Sequence, residues 1–381
     1  MENLLEIIKI IEGALKADKA KVSAYSEQLI NKLQKEGDVK AANRIKKLLT
    51  RSPSNELSLA QYSTNGRVPV DSESRFSLAD EESLNVSDTC VFLDLEDQAT
   101  VEEFLRYVVA ADKLLAQGVG ISPSLLIYGP PGCGKTELAR HISAKLHLPL
   151  LTARTDSLIS SYLGSTAKNL RLLFEHSMAR PCALFLDEFD AVGKLRDDKY
   201  ELGELKRVVV SLLQNIDAMD NNTVLIAATN HEHLLDPAIW RRFTYKIQLD
   251  YPSSNIRSKI FSKYLSEFLH DIDISPIIAI SKGLSGSDIK QLSENAIRET
   301  VLKDERKIQL SKLLKDVLKI QLPDAFKNGE DLKASLQAVR DYNPKVFTYR
   351  RLSEIFGVST GTVTKLFKST DDKLNKDLSD G

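Results

Sequence analysis

The sequence predicts an α/β fold: a doubly wound parallel-sheet domain with a helical lid, flanked by small all-helical modules at both ends. Three observations carry this reading. Five short apolar runs alternate with helical patterns between residues 124 and 250. The first of them leads through a glycine-rich loop into a helix-forming stretch, and after Tyr251-Pro252 strand-like runs cease while helical periodicity continues.

Taken in order, residues 3–49 place Leu4, Leu5, Ile7, Ile8, Ile11 and Leu15, then Leu29, Ile30 and Leu33, then Ile45, Leu48 and Leu49 at helical spacing, with Gly37-Asp38 as a break. They read as a two- or three-helix module over 1–50. Its ten Lys/Arg against seven acids fit solvated helix faces. Residues 51–90 hold nine serines and little apolar periodicity, so a flexible linker is expected there, with short segments able to dock on neighbours. The sheet domain is assigned to 91–252. An amphipathic stretch at about 100–115 opens it, and SLLIYG (124–129), LPLLTA (148–153), CALFLD (182–187), TVLIAAT (223–229) and YKIQLD (245–250) are its strands. Each run is too short for a helix and apolar enough to be buried on both faces. A helical lid is expected over 253–325, a further helical segment over 326–368 and a disordered polar tail over 369–381.

Composition excludes several classes. With 52 Lys+Arg against 53 Asp+Glu, any nucleic-acid contact must come from a local patch. No apolar run of membrane-spanning length occurs, and the N-terminus lacks a secretory signal pattern, so no membrane association is expected. Cys90, Cys133 and Cys182 are too few and too scattered for a disulfide framework or a zinc site. A soluble protein of a reducing, cytoplasmic compartment is expected.

The most informative run is Gly129, Pro130, Pro131, Gly132, Cys133, Gly134, Lys135 and Thr136, followed by Glu137. It matches G-x-x-x-x-G-K-[ST] in the required strand–loop–helix context. The glycines let backbone N–H groups face a phosphate at a helix N-terminus, Lys135 can reach the β- and γ-phosphates, and the Thr136 hydroxyl can ligate Mg²⁺. About fifty residues later, an apolar strand ends in Asp187-Glu188. In such ATPases the first acid holds Mg²⁺ through water, and the second polarises the attacking water.

This order of motifs resembles the AAA ATPases over about residues 91–300, in particular the branch of protein unfoldases and remodellers that includes katanin, the proteasomal ATPases and FtsH. The resemblance implies a P-loop domain that hydrolyses ATP with Mg²⁺. It also implies that Asn230, at a strand end, orients the lytic water, and that Arg241 and Arg242 are arginine fingers completing the site of an adjacent subunit in a homohexameric ring. Gly283-Leu-Ser-Gly286-Ser287-Asp288 resembles the family's lid-helix start beside the adenine, with Ser287 where alanine is usual, so Gly286 and Ser287 are further nucleotide contacts. Cys133 stands where threonine is common.

Tyr162-Leu163-Gly164 resembles the aromatic-aliphatic-Gly loop that faces the central pore, and so implies a protein client gripped through Tyr162. Without the family frame, Tyr162 reads as a core aromatic. Lys194 and Arg196 fall where a second pore loop is expected, with a solvated loop as the alternative.

Near the C-terminus, Leu352, Ile355, Val358, Val363 and Leu366, with Gly357 at a turn and Ser359 as a cap, have helix-turn-helix spacing. Residues 349–367 would then expose Thr360, Thr362, Thr364 and Lys365 toward DNA or dock a protein. An ATP-regulated DNA-binding switch, such as an autoregulatory antitoxin or a replication-type factor, is the competing reading of the whole chain. The layout resembles bacterial stand-alone ATPases of plasmid-maintenance or phage-defence operons, some of which are paired with a subtilisin-like protease.

Overall fold

The computed structural model describes residues 68–71, 75–158, 163–193, 202–219, 223–269, 272–326 and 332–377, with isolated positions between 26 and 42. The chain divides into two units, Met1–Asn65 and Gly66–Gly381. In the first, Ser26, Leu29, Ile30 and Ala42 are helical and buried. Lys32 and Leu33 are helical too; the rest of the expected N-terminal module, and all of 51–67, lie outside the described residues.

The second unit is built on a six-stranded sheet in the order β1-β3-β4-β5-β2-β6. Its strands are β1 (Ala79–Glu82), β2 (Ser124–Tyr128), β3 (Leu150–Ala153), β4 (Cys182–Leu186), β5 (Thr223–Thr229) and β6 (Tyr245–Gln248). The five expected strands pair in parallel, and every residue of β4 and β5 is buried. Side chains of β2 alternate between two cores. Leu126 joins Leu170 and Phe174 of α4 (Leu163–Met178) and Val208 and Leu212 of α5 (Leu202–Asp217). Leu125 and Ile127 join Phe104 of α1 (Leu95–Val109) and Leu138 and Ile142 of α2 (Lys135–Leu146). Between β3 and α4 lies a single turn, α3 (Thr155–Leu158).

The expected linker over 51–90 is corrected in its second half. Val70 bridges Ser77, and β1 adds to β3 as an antiparallel edge strand. Leu78 and Ala79 enter the core, while Glu82 pairs with Arg140 at 2.7 Å and Glu81 pairs with Arg180. An acidic strand is stable there because distant arginines meet its carboxylates.

Beyond β6, α6 (Pro237–Trp240) having preceded it, the chain is helical. The lid comprises α7 (Ser254–Leu269), α8 (Ser275–Ile280), α9 (Gly286–Leu302) and α10 (Leu310–Gln321). It is followed by α11 (Leu332–Tyr342), α12 (Tyr349–Phe356) and α13 (Thr360–Asp377). The expected boundary near residue 325 is absent from the packing. Leu352, Ile355 and Val363 share one core with Phe261, Ile289, Val317 and Leu336. Two helices alone carry too few apolar residues for a core of their own, so α12 and α13 bury Leu352, Ile355 and Val363 against the lid. The expected disordered tail is likewise helical through Asp377. Among the described residues, no helix is long and apolar enough to cross a membrane.

Candidate active site

β2 runs directly into the glycine-rich loop, and three glycines take positive φ: Gly129 at 135°, Gly132 at 76° and Gly134 at 94°. Gly134 is the N-cap of α2, so the loop ends on a helix N-terminus with the dipole that favours phosphate. Gly129 is wedged against the Leu249 carbonyl, where a Cβ has no room. Lys135 is buried, and its ammonium donates to Gly129 O at 2.8 Å and Pro130 O at 2.7 Å. Burial lowers its pKa below the ordinary lysine value, opposed by the fields of Cys133, Asp187, Asp190 and Glu232. Burial pushes the Cys133 thiol above its ordinary value, opposed by the field of Lys135. Glu137, in the first turn of α2, is exposed and lies 3.7 Å from Arg140.

Parallel pairing brings β4 and β2 to either side of β5, with their C-terminal ends at the same edge of the sheet. The Thr136 hydroxyl consequently donates to Asp187 Oδ2 at 2.8 Å across 51 residues of sequence. Glu188 adopts φ +50°, a left-handed conformation that costs a residue with a Cβ about 1–2 kcal/mol. Two contacts hold it there: Glu188 N donates to Asp187 Oδ1 at 2.9 Å, and Glu188 O accepts from Ala191 N at 2.8 Å. The exposed Glu188 carboxylate is thus aimed by a strained turn that β5 stabilises, since Phe189 N donates to Ala228 O at 2.8 Å.

Asn230 follows the last residue of β5 and lies between the phosphate loop and the acids by strand order. Thr229 donates to Asp190 at 2.8 Å and accepts from His231 N at 3.0 Å, which orients this strand end. Asp190 was not singled out from the sequence; its signal is the third acid of Asp187-Glu188-Phe189-Asp190.

The two arginines differ. Arg242 donates to both carboxylate oxygens of Asp217 at 3.1 Å and to Ala238 O at 3.2 Å. Arg241 is exposed and makes no ion pair or side-chain hydrogen bond among the described residues. Both belong to the wrong end of the sheet for their own phosphate loop. The Arg242 carbonyl accepts from Ser124 Oγ at 3.0 Å, and Ser124 opens β2, whereas Gly129 follows its close. Five residues of strand, roughly 13 Å at about 3.3 Å per residue, separate the two ends.

The lid reaches the loop through the start of α9. Ser287 N donates to Gly132 O at 3.0 Å, and a Cβ on Gly132 would meet Ser285 Oγ at 2.6 Å. Ser285 and Asp288 form a capping box that fixes this helix start. Beside Cys133 and Gly286 opens a cleft of 370 Å³, walled by Leu93, Tyr251, Ile256 and Ile260, with Asp97 and Asp250 at its rim. Burial, then Asp94, Glu96 and Asp250, holds the Asp97 carboxyl above the usual carboxylate range. Its lining comes from four separate stretches of sequence, 92–97, 133, 248–260 and 286, and only Cys133 and Gly286 carried a motif signal. Glycines that a Cβ would block, a hydroxyl paired with a carboxylate, and an adjacent partly apolar cleft fit a nucleoside triphosphate with a hard divalent cation.

Leu163 and Gly164 begin α4, while Tyr162, Lys194 and Arg196 lie outside the described residues. At the C-terminus, Gly357 takes φ +67° between α12 and α13, and Ser359 accepts from Thr362 N at 3.0 Å. The hydroxyls of Thr360, Thr362 and Thr364 bond Ser353, Ser359 and the Thr360 carbonyl respectively.

Residues 125–251 match the ATPase family associated with various cellular activities (AAA). The chain is 40% identical over 209 residues to an uncharacterized AAA family ATPase, y4kL, of Sinorhizobium fredii, a match covering 55% of this chain and 62% of that protein. It is 30% identical over 287 residues to the ATP-dependent zinc metalloprotease FtsH of Thermus thermophilus, covering 71% of this chain and 46% of that one. To the proteasome-activating nucleotidase of Methanopyrus kandleri it is 31% identical over 231 residues, covering 58% and 53%. The chain therefore spans about half to three fifths of the length of these relatives. Residues 125–251, which hold the phosphate loop, the paired acids and the strand-end asparagine, form an AAA ATPase domain.

Proposed function

We propose that this chain forms a homohexameric ring that hydrolyses ATP and remodels a protein client drawn through its pore. The Thr136 hydroxyl and the Asp187 carboxylate would hold Mg²⁺, whose chemistry when bound is to neutralise phosphate charge. Lys135 binds the phosphates, Glu188 takes a proton from water, and Asn230 orients that water. Gly286 and Ser287 place the lid over the nucleotide. Tyr162, with Leu163 and Gly164, engages the polypeptide.

The observation that carries the reading is Arg241. It is exposed, it has no partner among the described residues, and it stands a strand's length from its own phosphate loop. A guanidinium so placed supplies transition-state charge only to a second copy. The DNA-binding reading is less supported, because three of the four residues expected to read bases spend their hydroxyls within the helix pair.

The test mixes two inactive variants. Lys135→Ala subunits lack a working site but keep the finger, and Arg241→Ala subunits keep the site but lack the finger. Turnover recovered on mixing supports shared sites, and a mixture as inactive as its parts removes the ring from the mechanism. Sedimentation of Glu188→Gln with ATP reports the ring itself.

A further inference from the structure

Asp71 is 3% exposed, unusual for a carboxylate, and belongs to the upstream hairpin rather than to any nucleotide motif. The hairpin fixes it: Asp71 N donates to Phe76 O at 2.9 Å, and Arg75 N donates to Asp71 O at 3.0 Å. Its carboxylate accepts from Asn169 Nδ2 at 3.0 Å. Asn169 is fully buried on α4, and the same amide nitrogen donates to Ser157 O at 3.3 Å. Asn169 Oδ1 has no hydrogen-bond partner among the described residues.

Ser157 lies on α3 and Asn169 on α4, which are the two stems of the segment bearing Tyr162. One amide group therefore ties both stems together, and Asp71 orients that amide. The hairpin also braces the first stem, since Leu78 O accepts from Arg154 N at 2.9 Å just before α3. An apolar pair would fill this space without leaving an oxygen unsatisfied. A buried polar network that forgoes stability in this way is suited to fixing one geometry.

We propose that Asp71 is a positioning residue that acts through Asn169 to set the spacing of the two stems, and so the presentation of the client-gripping segment. This rests on the reading of Tyr162 as the client contact.

The experiment uses the full chain, ATP turnover and permanently unfolded casein as the polypeptide probe. Asp71→Ala should raise the KM for casein stimulation by at least about fivefold, the scale of the lost hydrogen bond to Asn169, with basal turnover and the KM for ATP unchanged. Asp71→Asn, whose oxygen still accepts from Asn169, should stay within about twofold of the parent. Asp71→Ser gives the same comparison should Asp71→Ala not fold. Hydrogen exchange across residues 158–164 should quicken in Asp71→Ala and not in Asp71→Asn. Unchanged exchange in Asp71→Ala, or equal casein KM values for the alanine and asparagine variants, overturns the anchor. Casein stimulation that survives Tyr162→Ala instead overturns the client reading, while the exchange measurement still decides the anchor.

Discussion

Substituting alanine at Gly132 and, in parallel, at Gly134 separates backbone strain from the contact between lid and loop. Both glycines have positive φ, so each alanine carries the left-handed penalty of about 1–2 kcal/mol. At Gly134 a Cβ meets nothing within 4 Å. At Gly132 it meets Ser285 Oγ at 2.6 Å and the Cβ atoms of Ser285 and Ser287 at 3.1 Å. The start of α9 must then retreat, and overpacking of that kind costs about 1–3 kcal/mol more. Because the nucleotide is expected between loop and lid, this second cost should appear as a ten- to hundredfold weaker binding, roughly 1.4 kcal/mol per decade. Titration of a fluorescent ATP analogue, with thermal unfolding alongside, should show Gly134→Ala less stable but nearly normal in affinity, and Gly132→Ala impaired in both. Adding Ser285→Gly removes the clashing side chain while costing the helix cap only a few tenths of a kcal/mol, so it should restore much of the affinity. Equal affinities for the two single variants, or no recovery in the double variant, would refute the view that Gly132 is glycine because the lid needs the space.

Further outcomes are expected. Arg241→Ala should abolish turnover at unchanged nucleotide affinity, whereas Asp217→Asn, which only loosens Arg242, should reduce turnover severalfold; steady-state rates with equilibrium binding separate the two. Arg257 is buried and donates to Pro252 O, Ile278 O and Ser281 Oγ, so Arg257→Lys, with a single nitrogen for three divergent acceptors, should lower the unfolding free energy by about 1–3 kcal/mol in denaturant titration. Burial first, then Lys145 and Arg180 respectively, holds His141 and His176 below the ordinary value of 6.5. The unfolded chain then takes protons that the folded one resists, so stability is level above about pH 6.5 and falls as pH drops below it; His141→Asn/His176→Asn should flatten that slope in unfolding curves between about pH 6.5 and 5.

What was legible in the sequence followed from locality. Strands β2 to β5 were readable because burial on both faces requires unbroken apolar runs, and the phosphate loop because its glycines are close together in the chain; β6 was expected to be buried likewise but is an edge strand that leaves Gln248 exposed. β1 was not, since Ala79-Asp80-Glu81-Glu82 has no apolar alternation and depends on Arg140 and Arg180 from elsewhere. Asp217 and Asp71 were missed for the same reason: their partners, Arg242 and Asn169, are 25 and 98 residues away. The C-terminal spacing correctly singled out Leu352, Ile355 and Val363 as buried, but spacing cannot say whose core they enter.

That shared core has a thermodynamic corollary. Helices α12 and α13 share their core with α7 to α10, so the amides of all of them should exchange with a common opening free energy, as one cooperative block. Truncating the chain after α11 would leave apolar faces of α10 and α11 uncovered and would disturb ATP binding even though no nucleotide contact had been deleted. By linkage, any macromolecule that seats on α13 and favours one lid angle must change ATP affinity by the same factor with which ATP changes its own.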